Sequence, residues 1–436
     1  MQQSFWPEDS DKDANEDADT GSHVLHMDIE EGADADMPGA ATGTVMPDAG
    51  APIDEVAGSG TGVGAGIYTT QDQQIIHHQN EGSDADAGAG IGLARGVSAN
   101  TGMDGATAGI AEWSRTVFDA VLDNVLSVFY GRERPVRLAM CCLAAGGHLL
   151  VEDLPGVGKT TLAKALANSL AVSFRRVQGT ADLMPSDITG TIIFDRNSSQ
   201  LNFRPGPIFT NILLVDELNR ASPRAQSALL EAMEEGHVTV DGVSYTLPHP
   251  FLLIATQNPY DNFGTYDLPI SQRDRFLVRI SLGYLDRGIA DTLLASNATM
   301  PHLDSLRAVA SPDVIVRLKQ AITQVHMSPE IRGYILDLAE ASRSNANVQI
   351  GASSRAFLSL ARVSQAYALS FGRLYVTPDD IKSVAPEALA HRIVLAPAAE
   401  MAGISAESVV LELLEQLPVP AIPSGRHGSA SRQTEG

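Results

Sequence analysis

The stretch LLVEDLPGVGKTTLAKALA, which begins at Leu149, restricts the folds open to this chain more than any other segment. A short apolar run, a glycine-bearing loop and a helix follow one another, as in a phosphate-binding loop between a buried parallel strand and a helix. The full loop pattern starts with a glycine four residues before Gly-Lys-Ser/Thr, and Asp153 stands at that position. The segment alone therefore predicts a strand–loop–helix unit and leaves open whether the loop binds a nucleotide or is only a turn.

The runs around this segment predict a doubly wound α/β domain over 111–283. NILLVDE and PFLLIATQN are short and apolar, as expected of buried parallel strands, and helical patterns precede the loop. Two hairpins should decorate the sheet, GTIIFDRNSSQLNFRP and HVTVDGVSYTL, the second with an Asp241-Gly242 turn. Strands that alternate with helices favour a parallel sheet covered by helices on both faces.

After about Gly283 the strand pattern stops and amphipathic segments follow. They begin near Ser311, Ser328, Ser353 and Thr377, where Ser or Thr followed by Pro or Ser is typical of a helix N-cap and first turn. Thr377 and an acid three residues later have the pattern of a capping box. We predict a small all-α domain over 284–396 and a flexible C-terminal tail over 397–436.

Acidic charge is concentrated at the start of the chain. The net charge is −23, and the first 110 residues hold 20 Asp and Glu residues against two bases, Lys12 and Arg95. This region is rich in Gly, Ala and Asp and too poor in large apolar side chains to offset chain entropy, so 1–110 is predicted to be disordered. The tail could bind a basic partner or only solvate the protein. The nearly neutral remainder gives no support for nucleic-acid binding.

The chain carries no recognisable targeting or membrane signal. No basic segment followed by an apolar core opens it, and no apolar run approaches the ~18 residues of a membrane helix. Cys141 and Cys142 are neighbours in an apolar run, which favours buried small hydrophobes over a disulfide framework. A cytoplasmic location without membrane insertion is expected.

Polar residues that suit nucleotide chemistry follow the predicted strands. The loop amides and helix N-terminus can cradle phosphate oxygens, Lys159 can reach the outer phosphates, and the Thr160 hydroxyl can hold Mg²⁺. Asp216 and Glu217 end the second strand, where one carboxylate can serve Mg²⁺ and the other can act as general base on water. Asn258, after the third strand, can orient that water.

Three arginines are candidates for stabilising phosphate charge. Arg273 and Arg275 lie in LPISQRDRF, shortly after the third strand, and a guanidinium is the usual stabiliser of a transferring phosphoryl group. Arg355 lies in the first turn of a predicted helix, where a cation opposes the helix dipole. A nearby anion such as a phosphate would explain that position.

Together these motifs resemble the MoxR family of AAA+ ATPases over roughly residues 112–395. EDLPGVGKT, LMPSDITG, RPGPIFTNILLVDELNRASPRAQSALLEAMEEGHVTVDG, FLLIATQNPYDNFGTYDLP, DRF and GASSRA are all similar to signatures of that family. Members often lack the first glycine of the loop, so Asp153 does not discount a nucleotide site. The chain departs from the family at Ile270-Ser271, where Glu-Ala is usual, and in its acidic extension.

The resemblance implies an AAA+ P-loop domain with hairpin inserts, followed by an all-α lid, and it implies a role for each motif. Asp216 and Glu217 match Walker B, Asn258 matches sensor 1, Arg275 the arginine finger, with Arg273 as a rival, and Arg355 sensor 2. The expected metal ligands are Thr160 and Asp216. The expected nucleotide contacts are Pro155, Gly156, Val157, Gly158, Lys159, Thr160, Thr161 and Asp216, with Tyr130 and Gly131 at the adenine.

By the same resemblance the chain is expected to hydrolyse ATP with Mg²⁺ in a ring of identical subunits, most simply a hexamer, in which Arg275 completes the neighbour's site. The implied work is chaperone-like remodelling or maturation of a client protein, with a von Willebrand factor A domain protein as partner. Two alternatives remain at this point: a nucleotide-binding scaffold that does not hydrolyse, and a nucleic-acid motor of the same clade. Against the motor, the HVTVDGVSYTL hairpin carries no Lys or Arg.

Overall fold

A computed structural model describes residues 103–197, 199–259, 266, 268–295 and 303–420. The predicted disordered extension lies outside the described residues as far as 102, and so does the end of the predicted tail, 421–436. The strands are β1 (Leu149–Glu152), β2 (Phe174–Gln178), β3 (Gly190–Asp195), β4 (Gln200–Pro205), β5 (Ile212–Asp216), β6 (His237–Val240), β7 (Val243–Thr246), β8 (Leu252–Gln257), β9 (Val278–Ile280), β10 (Val348–Ile350) and β11 (Val394–Leu395).

The helices of the described ranges fall on both sides of the sheet and in the C-terminal half. They are α1 (Met103–Leu126), α2 (Glu133–Ala144), α3 (Lys159–Ser169), α4 (Pro185–Thr189), α5 (Pro223–Glu235), α6 (Ile270–Arg273), α7 (Arg287–Ala295), α8 (Pro312–Ile322), α9 (Pro329–Ser344), α10 (Ser354–Ser370), α11 (Pro378–Leu389), α12 (Pro397–Met401) and α13 (Ala406–Gln416). In the described ranges, no helix combines the length and the apolarity needed to cross a membrane.

The central feature is a parallel sheet with strand order β2-β5-β8-β1-β9, so the predicted α/β class is confirmed. The apolar residues of β1, β5 and β8 are buried, which explains why these strands are continuous apolar runs in the sequence. Because the pairing is parallel throughout, all strands start at one end of the sheet and finish at the other. We call these the amino end and the carboxyl end of the sheet.

The two border strands were not predicted. β2 has the sequence FRRVQ, and Arg175 and Arg176 are exposed on it because a border strand has only one neighbour. β9 has three residues, too few for a periodicity to be recognised. The expectation that strands stop after Gly283 also needs correction, since β10 and β11 form a short antiparallel pair in the C-terminal half.

Both predicted hairpins are present. β3 pairs with β4 and β6 with β7, and the second hairpin turns at Asp241-Gly242, where both residues have positive φ (48° and 80°). The two hairpins touch each other, because Phe203 of β4 stacks on Tyr245 of β7 with ring centroids 4.0 Å apart. Through this contact the two hairpins, which are separate in the sequence, form one continuous surface.

The C-terminal half forms the predicted helical lid, and α1 and α2 join it to the sheet. α1 packs against α3, α2 and α10, while α2 packs against α8 and α10. One hydrophobic core therefore runs from the sheet domain into the lid. The predicted helix starts are confirmed at Ser328, Ser353 and Thr377, whose hydroxyls accept backbone N–H bonds of the first turn; Ser311 is an N-cap without such a bond.

The prediction that the chain is a flexible tail from 397 was wrong for its first part. α13 has a Ser405 cap and buries Val409, Val410, Leu413 and Leu414, and it packs against α9 and α11. These residues have helical spacing, which the Pro- and Gly-rich sequence after them obscured. At the other boundary, α1 starts at Met103, eight residues before the predicted start of order at 111.

Candidate nucleotide site

The phosphate-binding loop has the predicted strand–loop–helix setting. It leaves the carboxyl end of β1 and enters α3 at Lys159, so the first amides of α3 face the loop. Gly156 and Gly158 have φ of 82° and 97°, values that side chains rarely adopt. A Cβ on Gly158 would lie 2.9 Å from the Phe129 ring, so this position needs glycine for space as well. The loop is thus built as a cradle of backbone amides.

Lys159 is held at the loop by two backbone carbonyls. Its Nζ donates to the carbonyl oxygen of Asp153 and, at 3.2 Å, to that of Gln257. Burial lowers the pKa of Lys159, and the carboxylates of Asp153, Asp216 and Glu217 oppose that shift. The ammonium is therefore a half-buried cation pointed toward the acids that end β5.

The two acids at the end of β5 are organised by neighbouring strands. The Thr256 hydroxyl on β8 donates to Asp216 at 2.6 Å and accepts the Glu217 backbone N–H at 2.9 Å. Arg176 of β2 donates to the other Asp216 oxygen at 2.5 Å, and Gln178 donates to the Glu217 carboxylate at 2.9 Å. Glu217 itself has a φ of 55°, which turns the chain sharply as the strand ends.

Thr256, Arg176 and Gln178 are the residues of this site that sequence reasoning missed. The only signal available for them was their position in or near the ends of strands beside β5. That signal requires the strand order, and β2 had not been identified. Thr256, which is buried, could have been suspected as a polar residue inside an apolar strand.

The predicted phosphate-binding residues come together around one cavity of about 290 Å³. Its lining residues are Pro155, Gly156, Gly158, Lys159, Thr160, Asp216, Glu217 and Asn258. A glycine cradle, an ammonium, a hydroxyl and a carboxylate pair are the groups that a Mg²⁺-bound triphosphate requires. The residues present therefore fit a nucleotide phosphate chain with Mg²⁺, with Thr160 and Asp216 as the residues that would hold the metal.

A second cavity, of about 380 Å³, continues from the other side of the same loop. Among its lining residues are Tyr130, Val157, Thr161 and the exposed Tyr284, and apolar atoms dominate its surface. This is the shape and polarity that a purine ring needs. Gly131, also predicted at the adenine, instead lies against Ile289 of α7, whose side chain a Cβ there would strike.

Arg132 is a further residue of this cavity that the sequence did not reveal. It is buried, and its guanidinium donates to the carbonyl oxygens of Val157 and, at 2.8 Å, of Gly283. Burial lowers the pKa of Arg132, and the nearby Asp153 carboxylate opposes the shift. Arg132 thus ties the phosphate-binding loop to the segment that follows β9.

Asp153, the departure from the full loop pattern, has a structural role. Its carboxylate accepts the backbone N–H groups of Leu282 and of Gly283 (2.9 Å) and the Ser281 hydroxyl at 3.1 Å. The carboxylate is buried and lies at the outer end of the loop, away from the cavity lined by Lys159. The residue in place of the usual glycine therefore fastens the start of the loop to the chain that enters the lid.

Arg275 and Arg355 lie elsewhere. They share a different cavity with Gly147 and His148, which precede β1, so both arginines are at the amino end of the sheet. Arg275 lies 2.9 Å from a Glu234 carboxylate oxygen and Arg355 pairs with the other oxygen of the same carboxylate. The anion that the sequence led us to expect beside Arg355 is, within this chain, the Glu234 carboxylate.

The rival finger, Arg273, ends α6 on the lid side of this segment. It is among the cations that depress the pKa of the buried His391, although burial itself is the main cause of that shift. Arg275, by contrast, reaches α5, where it also donates to the Leu230 carbonyl at 3.0 Å. The two arginines thus face different neighbours.

Comparison with known proteins places this architecture among ATPases. The family "ATPase family associated with various cellular activities (AAA)" matches residues 148–278, and the AAA lid domain matches residues 340–413, which includes most of α13.

Individual relatives align over most of their own length. The uncharacterized protein YeaC of Bacillus subtilis (strain 168) is 42% identical over 69% of this chain and 93% of its own. Chaperone MoxR1 of Mycobacterium tuberculosis (strain ATCC 25618 / H37Rv) is 33% identical over 75% of this chain and 88% of its own. The crystal structure of an ATPase candidate from Cytophaga hutchinsonii is 35% identical, with a TM-score of 0.67, and covers 73% of this chain and 100% of its own.

Proposed function

Because the chain belongs to the MoxR family of AAA+ ATPases, we propose that it binds ATP with Mg²⁺ at the carboxyl end of the sheet and hydrolyses it to ADP and phosphate. The observation that carries this proposal is the convergence of Lys159, Thr160, Asp216, Glu217 and Asn258 on one cavity. A plain turn between a strand and a helix would not need all of these groups in one place.

Each residue then has a task that its surroundings allow. The amides of the loop and Lys159 would bind the phosphates, and Thr160 and Asp216 would hold Mg²⁺, which would neutralise phosphate charge. Glu217 takes a proton from the attacking water, and Asn258 orients that water. The Gln178 amide holds the Glu217 carboxylate in place from the neighbouring strand.

The position of the arginines supports a ring. Arg275 and Arg355 lie at the amino end of the sheet, so neither is part of the cavity that Lys159 lines in its own chain. We propose that both reach the nucleotide of an adjacent subunit in a ring, most simply a hexamer, and stabilise the phosphate charge there. The pair with Glu234 would then be the arrangement of a subunit without that neighbour.

The use that the protein makes of ATP hydrolysis is proposed from its relatives. A chaperone-like remodelling or maturation of a client protein, assisted by a von Willebrand factor A domain protein, is the proposal that the relationship to Chaperone MoxR1 favours. The joined hairpins β3–β4 and β6–β7 present exposed Phe194, Leu201 and Val243, apolar side chains that suit contact with another polypeptide.

The test compares two variants of the same cavity. Glu217→Gln should still bind ATP, because the loop, Lys159 and Mg²⁺ are intact, while turnover falls by about 10²–10⁴-fold with the loss of the base. Lys159→Ala should weaken binding itself. Nucleotide affinity measured by titration calorimetry, beside phosphate release, separates the two effects. Equal turnover of Glu217→Gln and the parent would contradict the assignment of the base.

A further inference from the structure

Asp274, which precedes Arg275 in the sequence, is bound by residues of the lid. It follows α6 and directly precedes Arg275 in the sequence. Its two carboxylate oxygens accept the Ser353 hydroxyl at 3.2 and 3.1 Å, and one of them lies 3.1 Å from Nε of Arg392. One carboxylate from the sheet domain is thus held by two residues of the lid.

Arg392 is a buried cation with partners on both sides of this contact. It lies in the short turn after α11, and its side chain is only 1% exposed. Its guanidinium donates to the Asp274 carbonyl at 3.0 Å, the Phe276 carbonyl at 2.6 Å and, on α11, the Ala388 carbonyl at 2.9 Å. Both the side chain and the main chain of the segment around Arg275 are therefore fixed to the lid.

Ser353 connects the same carboxylate to Arg355. Its oxygen caps α10 by accepting the Ala356 backbone N–H at 3.1 Å, while its hydroxyl hydrogen is directed to Asp274. Arg355 lies two residues later, in the first turn of α10. The orientation of that first turn, and with it the base of the Arg355 side chain, thus depends on the bond to Asp274.

We propose that Asp274 is a positioning residue: through Ser353 and Arg392 it holds Arg275 and Arg355 as a fixed pair, so the lid and the finger segment present both guanidinium groups together. This inference rests on the proposed ATPase function and adds to it a coupling between lid orientation and hydrolysis in the neighbouring subunit. Small misplacements of a charge-stabilising group lower the rate without weakening nucleotide binding in the group's own subunit.

The bond between Ser353 and Asp274 can be broken while the helix cap is kept. Aspartate caps helices about as well as serine does, so Ser353→Asp retains the cap but sets a carboxylate against Asp274. Glycine is also a good cap and removes the hydroxyl, so Ser353→Gly is a milder second variant. Ser328, which caps α9, offers the matched control Ser328→Asp.

Steady-state ATP hydrolysis, nucleotide affinity and thermal unfolding are measured for the full-length parent and the three variants. We expect kcat to fall roughly 10- to 100-fold in Ser353→Asp and by less in Ser353→Gly, with KM and ADP affinity within about twofold of the parent. Ser328→Asp should match the parent in all three measurements. A merely structural role would instead lower the unfolding temperature and leave kcat of the folded enzyme unchanged.

The outcomes separate this inference from the function it rests on. Parental kcat in both Ser353 variants, in an assay where the parent turns over, would overturn the positioning role and leave the ATPase proposal intact. A fall in nucleotide affinity equal to the fall in kcat would also overturn it. A parent that binds ATP and never releases phosphate would refute the ATPase proposal, and the positioning role with it.

Discussion

The two ends of the parallel sheet carry complementary halves of the proposed chemistry. At the carboxyl end, glycines with positive φ, the ammonium of Lys159 and the acids after β5 surround a cavity. At the amino end, two guanidinium groups meet one carboxylate, Glu234. The cavity at the first end has a cradle but no arginine among its described lining residues, and the second end has arginines without a cradle. In the proposed function, charge stabilisation during phosphoryl transfer needs both halves.

A residue's presence in a family motif therefore does not say at which end of the sheet it lies. Asn258 and Arg355 are both sensor residues by resemblance, yet only Asn258 lies with Lys159 in this chain. The length of the parallel strands separates the two ends, and in the proposed ring a second subunit would bring one end to the other.

Removing the guanidinium at the amino end should have the largest effect. Arg275→Ala is expected to bind ATP with nearly the parental affinity and to lose about 10³-fold or more in hydrolysis, the usual worth of an arginine finger. Phosphate release and nucleotide titration on the same preparation measure both. Arg332→Ala, at an exposed position of α9, is the matched control and should resemble the parent. Full activity of Arg275→Ala would show that Arg275 is not the arginine finger.

At the carboxyl end, restoring the glycine that the loop pattern asks for should harm the protein. Asp153→Gly leaves the buried N–H of Leu282 and the half-buried N–H of Gly283 without an acceptor, so the free energy of unfolding should fall by about 3 kcal/mol. Chemical denaturation measures the loss. Asp241→Gly, in an exposed turn where φ is already positive, should cost nothing. An Asp153→Gly variant with the free energy of unfolding of the parent would mean that the carboxylate does not fasten the loop.

His148, which lines the same cavity as Arg275 and Arg355, should make the amino end sensitive to acid. Its Nδ1 accepts the Leu253 N–H at 3.1 Å and its Nε2 lies 3.0 Å from the Met233 carbonyl, so the folded protein requires a neutral ring. Burial lowers the pKa of His148 to about 4, although the Met233 carbonyl opposes the shift. The unfolded chain takes up a proton near pH 6.5, so stability is complete above that pH and declines as the pH falls toward 4.

The parent and His148→Gln should differ in free energy of unfolding, and this difference should depend on pH. The variant should be less stable at pH 7.5, and the gap should narrow by about 2 kcal/mol at pH 5, because the variant has no histidine to protonate there. Urea unfolding at the two pH values gives the comparison. A gap that stays constant would show that the ring does not titrate as proposed. Burial also lowers the pKa of His391 well below its usual value. This residue should make the stability of both proteins depend on pH to the same extent, so it does not alter the difference between them.

The smallest effect should follow removal of the acidic extension. The cavities at the two ends of the sheet are lined by no described residue before Val128, and the composition of 1–102 predicts no packed core. A chain that starts at Met103 should therefore fold, bind nucleotide and hydrolyse it at a similar basal rate, which circular dichroism and phosphate release can check. Loss of folding or of ATP binding would contradict the predicted disorder.

The sequence predicted the carboxyl end of the sheet better than the amino end for a physical reason. The loop, the acids and Asn258 each follow a central strand, and central strands are readable because both faces are buried. β2 was not predicted because its arginines are exposed. For the same reason Arg176 and Gln178, which bind Asp216 and Glu217 from this neighbouring strand, were not predicted as site residues.

Other parts depended on contacts that no local pattern encodes. The partner N–H of Leu282 lies 129 residues from Asp153, so the missing glycine could not be explained before the fold was known. Glu234 lies in the last turn of α5 and has the pattern of a solvated acid, because only the fold brings Arg355 of α10 to it. Resemblance supplied the roles of the arginines, and the structure supplied their location.

The central claim, that the two halves of a site come from adjacent subunits, is tested most directly by mixing two inactive proteins. Arg275→Ala subunits have an intact Glu217, and Glu217→Gln subunits have an intact Arg275, so each pure protein should be nearly inactive. In mixed rings, with mixing shown by fluorescence transfer between labelled subunits, some interfaces pair an intact cavity with an intact finger, and hydrolysis should recover. Mixing Arg273→Ala subunits with Glu217→Gln subunits tests whether Arg273 is the finger instead. Mixed rings as inactive as the pure proteins would contradict the claim that Arg275 completes its neighbour's site.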